Sequence, residues 1–259
     1  MKPTHVMGEI LALLARQHQE LDGLVADLDE AGWARPSGCP DWTIADVLLH
    51  LAQTDEMATA SAEQRFAEAA AAFAGRAAGS EGATGDALAG LAVAAERGRP
   101  GREVYERWRV ASEAQAKALA RCQPGDRVPW LAGTLSALTL ATTRLAESWI
   151  HTADIAGGLG RDLSPDGRLR PIARLAWRTL PYAFARSGRA LSGPVAVHLT
   201  APDGSAWTFT PDEPATTTVS GPALDFCRVA ARRADPAKTA LTASGPDGDA
   251  VLELVRTFA

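Results

Sequence analysis

Glu147 and His151 stand four residues apart in a segment rich in apolar residues. That spacing puts both side chains next to each other on one helix face. A carboxylate and an imidazole so placed can reach the same metal ion. The pair belongs to a longer stripe, Leu140, Arg144, Glu147, His151 and Asp154. The remainder of the helix is apolar or small: Leu138, Leu145, Ala146, Trp149, Ile150, Ala153 and Ile155. A polar stripe on a helix that is otherwise fit for burial needs a task. Arg144 and Asp154 flank the pair and are candidate catalytic residues, able to orient the ligands from behind. The same spacing also suits two plain surface ion pairs, Arg144 with Glu147 and His151 with Asp154. His50 bears on the choice. It lies between Leu49 and Leu51, with Asp46 one turn before it and Thr54 one turn after. A lone histidine is more often a core or surface residue than a ligand. A bundle that brings His50 against the Glu147–His151 face would, however, make a three-ligand centre with positions left for water or substrate. Zn²⁺ suits such a donor set best, and Fe²⁺ and Ni²⁺ also fit it.

These residues need helices to hold them. Leu11, Leu14, His18, Leu21, Val25 and Leu28 follow the rhythm of one helical face. Gly32 and the Pro36–Pro40 stretch end that helix in a loop. Thr43 is a good cap for the next one, with Asp46 at the capping-box position and Trp42 and Val47 as a hydrophobic staple. That helix is predicted to run through His50 and Met57 to Phe73. Residues 75–100, with Gly82, Gly85, Gly98 and Pro100, read as a loop containing a short helix. A third long helix covers 102–121 and stops at Pro124-Gly125. The fourth runs from about Ser136 to Ala156, with Gly157-Gly158 as its terminator. Four long helices joined by turns predict an antiparallel four-helix bundle over residues 1–160. Beyond it the pattern changes. A helix at 172–187 should kink at Pro181. Val195, Val197 and Leu199 alternate as a strand, Pro202–Ser205 turns, and 207–210 returns. A strand at 216–219, a helix at 222–233, an extended stretch at 239–243 and a helix at 248–258 complete an α+β domain over 161–259. The expected fold class is mainly α plus α+β.

The bulk properties exclude several functions. The 259 residues carry a net charge of −5, which supplies no positive field for a phosphate backbone. Nucleic acid is not an expected partner, and no apolar run is long enough to span a bilayer. The chain enters a polar, helix-like stretch directly after Met1-Lys2-Pro3, so a cytoplasmic location is expected. Cys39, Cys122 and Cys227 are too far apart for a thiolate zinc site and suit a reducing compartment. His18 reads as a core histidine and His198 and His5 as exposed. Trp42, Trp108, Trp130, Trp149 and Trp177 read as core, although Trp130, in the loop before the fourth helix, could line a pocket mouth. Cys39 could approach the site, although a free cysteine of this kind usually serves packing. The arginines of 99–109 alternate with Glu103 and Glu106 as a solvated face.

Pro40-Asp41-Trp42-Thr43, followed by Asp46, Val47, His50 and Leu51, resembles the second-helix motif of DinB-like metalloproteins. Glu147-Ser148-Trp149-Ile150-His151-Thr152-Ala153-Asp154 resembles their fourth-helix motif. Followed by an α+β domain, the chain is similar over its whole length to the mycothiol-dependent maleylpyruvate isomerase family. The resemblance implies metal ligands at His50, Glu147 and His151, and mycothiol as cosubstrate. It also implies a helpful arginine in the second domain, downstream of Gly221-Pro222-Ala223-Leu224-Asp225-Phe226-Cys227. The family's stretch usually ends in Gly-Arg and this one in Ala231-Arg232-Arg233. Arg233 is the expected match and Arg232 the second candidate. Arg233 and Trp130 are the candidate contacts to the thiol. A thiol with a pKa of about 8.5 is mostly protonated at neutral pH, and a cation that deprotonates it makes a nucleophile. The expected activity is thiol addition to a small electrophile, as an isomerase or an S-transferase acting as a monomer or homodimer. The rivals are a thiol-independent metal hydrolase or cyclase and a metal-dependent ligand-binding protein.

Overall fold

The apolar stripe of the first helix is the inner face of α1 (Pro3–Val25), which buries Met7, Ile10, Leu14, Leu21 and Val25. The computed structural model describes residues 3–76, 85–131 and 133–257, which fall into two compact units, 1–163 and 164–259.

In the first unit α1 is followed by a single-turn helix, α2 (Glu30–Trp33), inside the stretch expected to be loop. Then come α3 (Ile44–Ala62), α4 (Phe66–Arg76), α5 (Gly85–Glu96) and α6 (Gly101–Ala120). A hairpin of β1 (Arg127–Trp130) and β2 (Gly133–Ser136) leads into α7 (Ala137–Leu159). α1, α3, α6 and α7 are the four long helices of the bundle. Leu21, Val25, Trp33, Ile44, Val47, Leu48, Leu51, Val104, Trp108 and Ile155 form one core cluster, with Trp42 packed against it. Met7, Ile10, Ala58, Leu119, Val128, Leu140 and Ala141 form another.

Three predicted boundaries move. The second bundle helix ends at Ala62 rather than continuing to Phe73. Gln64 takes a left-handed φ of 61°, and the amides of Gln64 and Arg65 close back onto Ser61 and Ala60. That is the Schellman closure, in which glycine is the usual left-handed residue. The fourth long helix continues through Gly157 and Gly158 and ends at Gly160, whose φ is 68°. Gly158 lies inside the helix for a different reason: a Cβ there would sit 2.4 Å from the Pro36 carbonyl oxygen. The β1–β2 hairpin replaces the loop predicted before the fourth helix. The helix predicted at 248–258 ends at Leu254, and its predicted last residue, like Gly82 of the predicted loop, lies outside the described residues.

The second unit opens with α8 (Leu169–Arg178) and α9 (Leu180–Arg186). Pro181 starts α9 instead of kinking one long helix, because the first turn is where a missing N–H costs nothing. β3 (Val195–Thr200), β4 (Ala206–Phe209), β5 (Thr217–Pro222) and β6 (Thr242–Ser244) form a sheet in the order β4-β3-β5-β6. β3 is antiparallel to β4 and parallel to β5, and β5 is antiparallel to β6. α10 (Ala223–Ala230) and α11 (Gly248–Leu254) complete the unit.

Candidate metal centre

The helix carrying His50 has a well-fixed start. Thr43 Oγ1 accepts from the Asp46 amide at 3.2 Å, and Asp46 Oδ2 accepts from the Thr43 amide at 3.0 Å. Arg97 Nε donates to the other Asp46 oxygen at 3.1 Å. The loop ahead of this cap is tied to α7: the Gly38 amide donates to the Asp154 carbonyl at 2.8 Å. Asp41 adopts a left-handed φ of 63°, a conformation that Asp tolerates better than most residues. The next residue, Trp42, places its ring 5.2 Å from the His50 ring and 6.4 Å from the His151 ring, centroid to centroid.

His50 on α3 meets Glu147 and His151 on α7. The Nε2 atoms of His50 and His151 lie 3.8 and 3.7 Å from the same oxygen, Glu147 Oε2. The three ligand atoms fall within 4.8 Å of one another, and among the described residues no other group of three His, Cys, Asp or Glu does so. With metal–ligand bonds of about 2.1 Å, a tetrahedral centre separates its ligand atoms by about 3.4 Å. The observed spacing is therefore close to that of a shared ion, and too long for direct hydrogen bonds. Both histidines are buried and Glu147 is partly so.

The protonation states suit a cation. Burial by itself would raise the pKa of Glu147. Its pairing with His50 and the nearby charges of His151 and Arg144 outweigh that and hold it at about 2. Burial lowers the pKa of His50, and His151 and Arg144 push it the same way, against the pull of Glu147. An ionised carboxylate beside a neutral imidazole is the form in which these donors bind metal.

Behind the ligands, His151 Nδ1 is 3.0 Å from Asp154 Oδ2. A carboxylate there fixes the tautomer that leaves Nε2 free to coordinate. His50 differs: its Nδ1 is buried and has no hydrogen-bond partner among the described residues. Arg144 pairs across to α3. It is buried against Asp55 on α3, with Nη2 at 2.9 Å from Oδ1. It also donates to Thr54 Oγ1 at 2.9 Å. The Arg144–Glu147 surface pair that the spacing allowed does not form. Asp55 carries no signal in the sequence, because its partners lie on other helices and share no spacing with it. Trp42 packs against the core as expected and also borders both imidazoles. The adjoining motif Pro40–Thr43 was the signal that could have placed Trp42 at the site.

The other candidates lie elsewhere. Trp130 is at the end of β1, half-buried, with its ring 5.8 Å from Phe66 and packed on the Met7–Leu140 cluster. His18 is a core-edge residue, edge-on to Trp108 and 3.3 Å from Ser148 Oγ. Cys39 is partly buried, packing against the core around Trp33 and Val47. Arg233 belongs to the second unit, just past α10, and its guanidinium donates to the Ala231 carbonyl at 3.2 Å. The α10 terminus bears on its alignment. Arg232 holds the left-handed position, φ 60°, while the amides of Arg232 and Arg233 close onto Val229 and Arg228. Arg232 therefore fills the glycine slot of a Schellman turn, and Arg233 is the residue that follows it.

The family model for the mycothiol maleylpyruvate isomerase N-terminal domain matches residues 14–156. The model for the MDMPI C-terminal domain matches residues 170–252. Two uncharacterized proteins from strains of Mycobacterium tuberculosis are each 33% identical over 255 residues, covering 97% of this chain and 96% of the relative. Among solved structures, the mycothiol-dependent maleylpyruvate isomerase has the same fold, with a TM-score of 0.59 at 18% identity. A mutant of that enzyme gives 0.60 at 17% identity, and in both cases the match covers 96% of this chain and 99% of the other. Among the described residues, no helix is long and apolar enough to cross a membrane.

Proposed function

The chain belongs to the mycothiol maleylpyruvate isomerase family, and on that premise we propose that it is a metal-dependent enzyme that activates a low-molecular-weight thiol, mycothiol or a close relative. The observation that carries this reading is the convergence of His50, Glu147 and His151 from two helices within 4.8 Å. These three residues would hold a divalent cation, with Zn²⁺ the best match to two imidazoles and a carboxylate. Such a cation, when bound, lowers the pKa of a coordinated thiol and so supplies a thiolate at neutral pH.

Two residues beside the ligands, Asp154 and Trp42, prepare the centre for that task. Asp154 holds His151 in the coordinating tautomer. Trp42 packs its ring beside the two imidazoles. Arg233 is the candidate to bind an anionic group of the thiol or the substrate, since a guanidinium pairs well with carboxylates. Trp130 remains a weaker candidate for that contact.

With an activated cis alkene, the thiol sulfur forms a C–S bond at one alkene carbon and a proton adds at the other. The C–C bond is now single and rotates, and loss of the thiol together with a proton from the neighbouring carbon, the other of its two hydrogens, gives the trans isomer. Retention of the C–S bond instead gives an S-conjugate. The test incubates the zinc-loaded protein with mycothiol and a panel of cis-unsaturated acids and other small electrophiles, followed by mass spectrometry and chromatography. Isomerisation or adduct formation that stops when the thiol is omitted is the expected result. Turnover that is indifferent to thiol would replace this reading with metal-hydroxide hydrolysis or cyclisation, and no turnover with any electrophile would favour a binding protein.

A further inference from the structure

We propose that Asp55, acting through Arg144 and Thr54, is a positioning residue that holds His50 in register with Glu147 and His151. The proposal rests on the metal-centre reading above and concerns residues that donate no ligand.

Asp55 and Arg144 are 0% and 1% exposed, so both charges are removed from water. A buried ion pair is a weak source of stability, because desolvation offsets most of the attraction and apolar residues of similar size often do as well. Its geometry suggests another use. Arg144 Nη2 and Nε donate to Asp55 Oδ1 at 2.9 and 3.3 Å, and Gln115 Nε2 donates to the same oxygen. Oδ2 of Asp55 accepts no hydrogen bond among the described residues. The carboxylate thus serves to aim one guanidinium.

The aimed guanidinium reaches the ligand helix. Its Nη2 donates to Thr54 Oγ1 at 2.9 Å, and Thr54 donates its own hydroxyl proton to the His50 carbonyl at 2.9 Å. Arg144 precedes Glu147 by three residues on α7. One side chain therefore fastens the turn that leads to Glu147 to the turn that carries His50. Many of the other residues buried on α3 around this point are apolar, such as Leu48, Leu49 and Leu51, and their burial is non-directional. A planar guanidinium has a fixed fork of donors and tolerates little sliding. A metal site needs that precision, because its ligand distances must hold within about 0.2 Å. His50 needs it more than His151, since no carboxylate orients its ring.

The test uses the full chain and Co²⁺ as the probe, with affinity from chelator competition and site geometry from the visible absorption bands. Thr54→Val removes only the hydroxyl link. The double variant Asp55→Leu with Arg144→Met replaces the pair by apolar groups. Thermal melting reports folding in each case. The expected result is a melting temperature near wild type with Co²⁺ affinity reduced tenfold or more and shifted bands. Wild-type affinity and bands in Thr54→Val, or in a folded double variant, would overturn the proposal. Should the double variant fail to fold, Thr54→Val decides alone by the same criterion. His50→Ala separates the two levels of the argument. If it binds Co²⁺ as the wild type does, the metal centre itself is wrong. If it loses Co²⁺ while Thr54→Val keeps it, only the positioning role fails.

Discussion

Two imidazoles face one carboxylate oxygen, yet they are held by different means. His151 has a carboxylate at its back, 3.0 Å from Nδ1, whereas His50 depends on the backbone tether described above. Removing the charge from Asp154 should weaken the centre without dismantling the bundle. For Asp154→Asn we expect metal affinity to fall by roughly 10- to 100-fold, the usual cost of losing a partner that orients a ligand. Chelator competition measures it, and an affinity within twofold of wild type would contradict the role. At this scale much of the site was legible in the sequence. Glu147 and His151 stand out because helix spacing alone makes them neighbours. Asp154 is legible for the same reason, three residues after His151. Asp55 was not legible, because its partners Arg144 and Gln115 are 89 and 60 residues away, and no periodicity links residues across helices.

At the scale of elements, the ends of α3 and α10 were missed for one cause. Gln64 and Arg232 take left-handed conformations at helix ends, and a sequence reading looks for glycine there. The capping box of α3 was legible because Thr43 and Asp46 satisfy each other's backbone locally. The β1–β2 hairpin was not, since its strands are four residues each and carry little alternation. Arg232 gives a direct test of the α10 terminus. A non-glycine residue in this conformation carries a cost of roughly 1–2 kcal/mol, partly offset here by the Arg232 bond to the Glu253 carbonyl at 2.6 Å. Arg232→Gly should leave the melting temperature unchanged or raise it by about 2–4 °C, with turnover retained. Arg233→Ala should lose most of the turnover. If Arg232→Gly abolished turnover and Arg233→Ala did not, the two roles would be exchanged.

At the scale of the whole molecule, the order of a helical bundle and a following α+β unit was legible from the change of hydrophobic period near residue 160. The identity of the electrophile is not encoded in any such pattern. The folded state also has a pH signature. Burial lowers the pKa of His18, with Arg144 adding to it and Asp55 opposing, so the unfolded chain binds the proton first as pH falls. Stability is full above about pH 6.5 and declines as pH drops from there through the lower folded value. Thermal melts from pH 7 to 5 should show that decline, and His18→Gln should flatten it; an unchanged slope would show that His18 is not among its causes. The most direct test of the account as a whole is elemental analysis of the purified full-length protein beside His50→Ala. The account predicts about one equivalent of a divalent transition metal per wild-type chain and a sharp loss in the variant. Equal metal content in the two proteins, or none in wild type even after reconstitution, would contradict it.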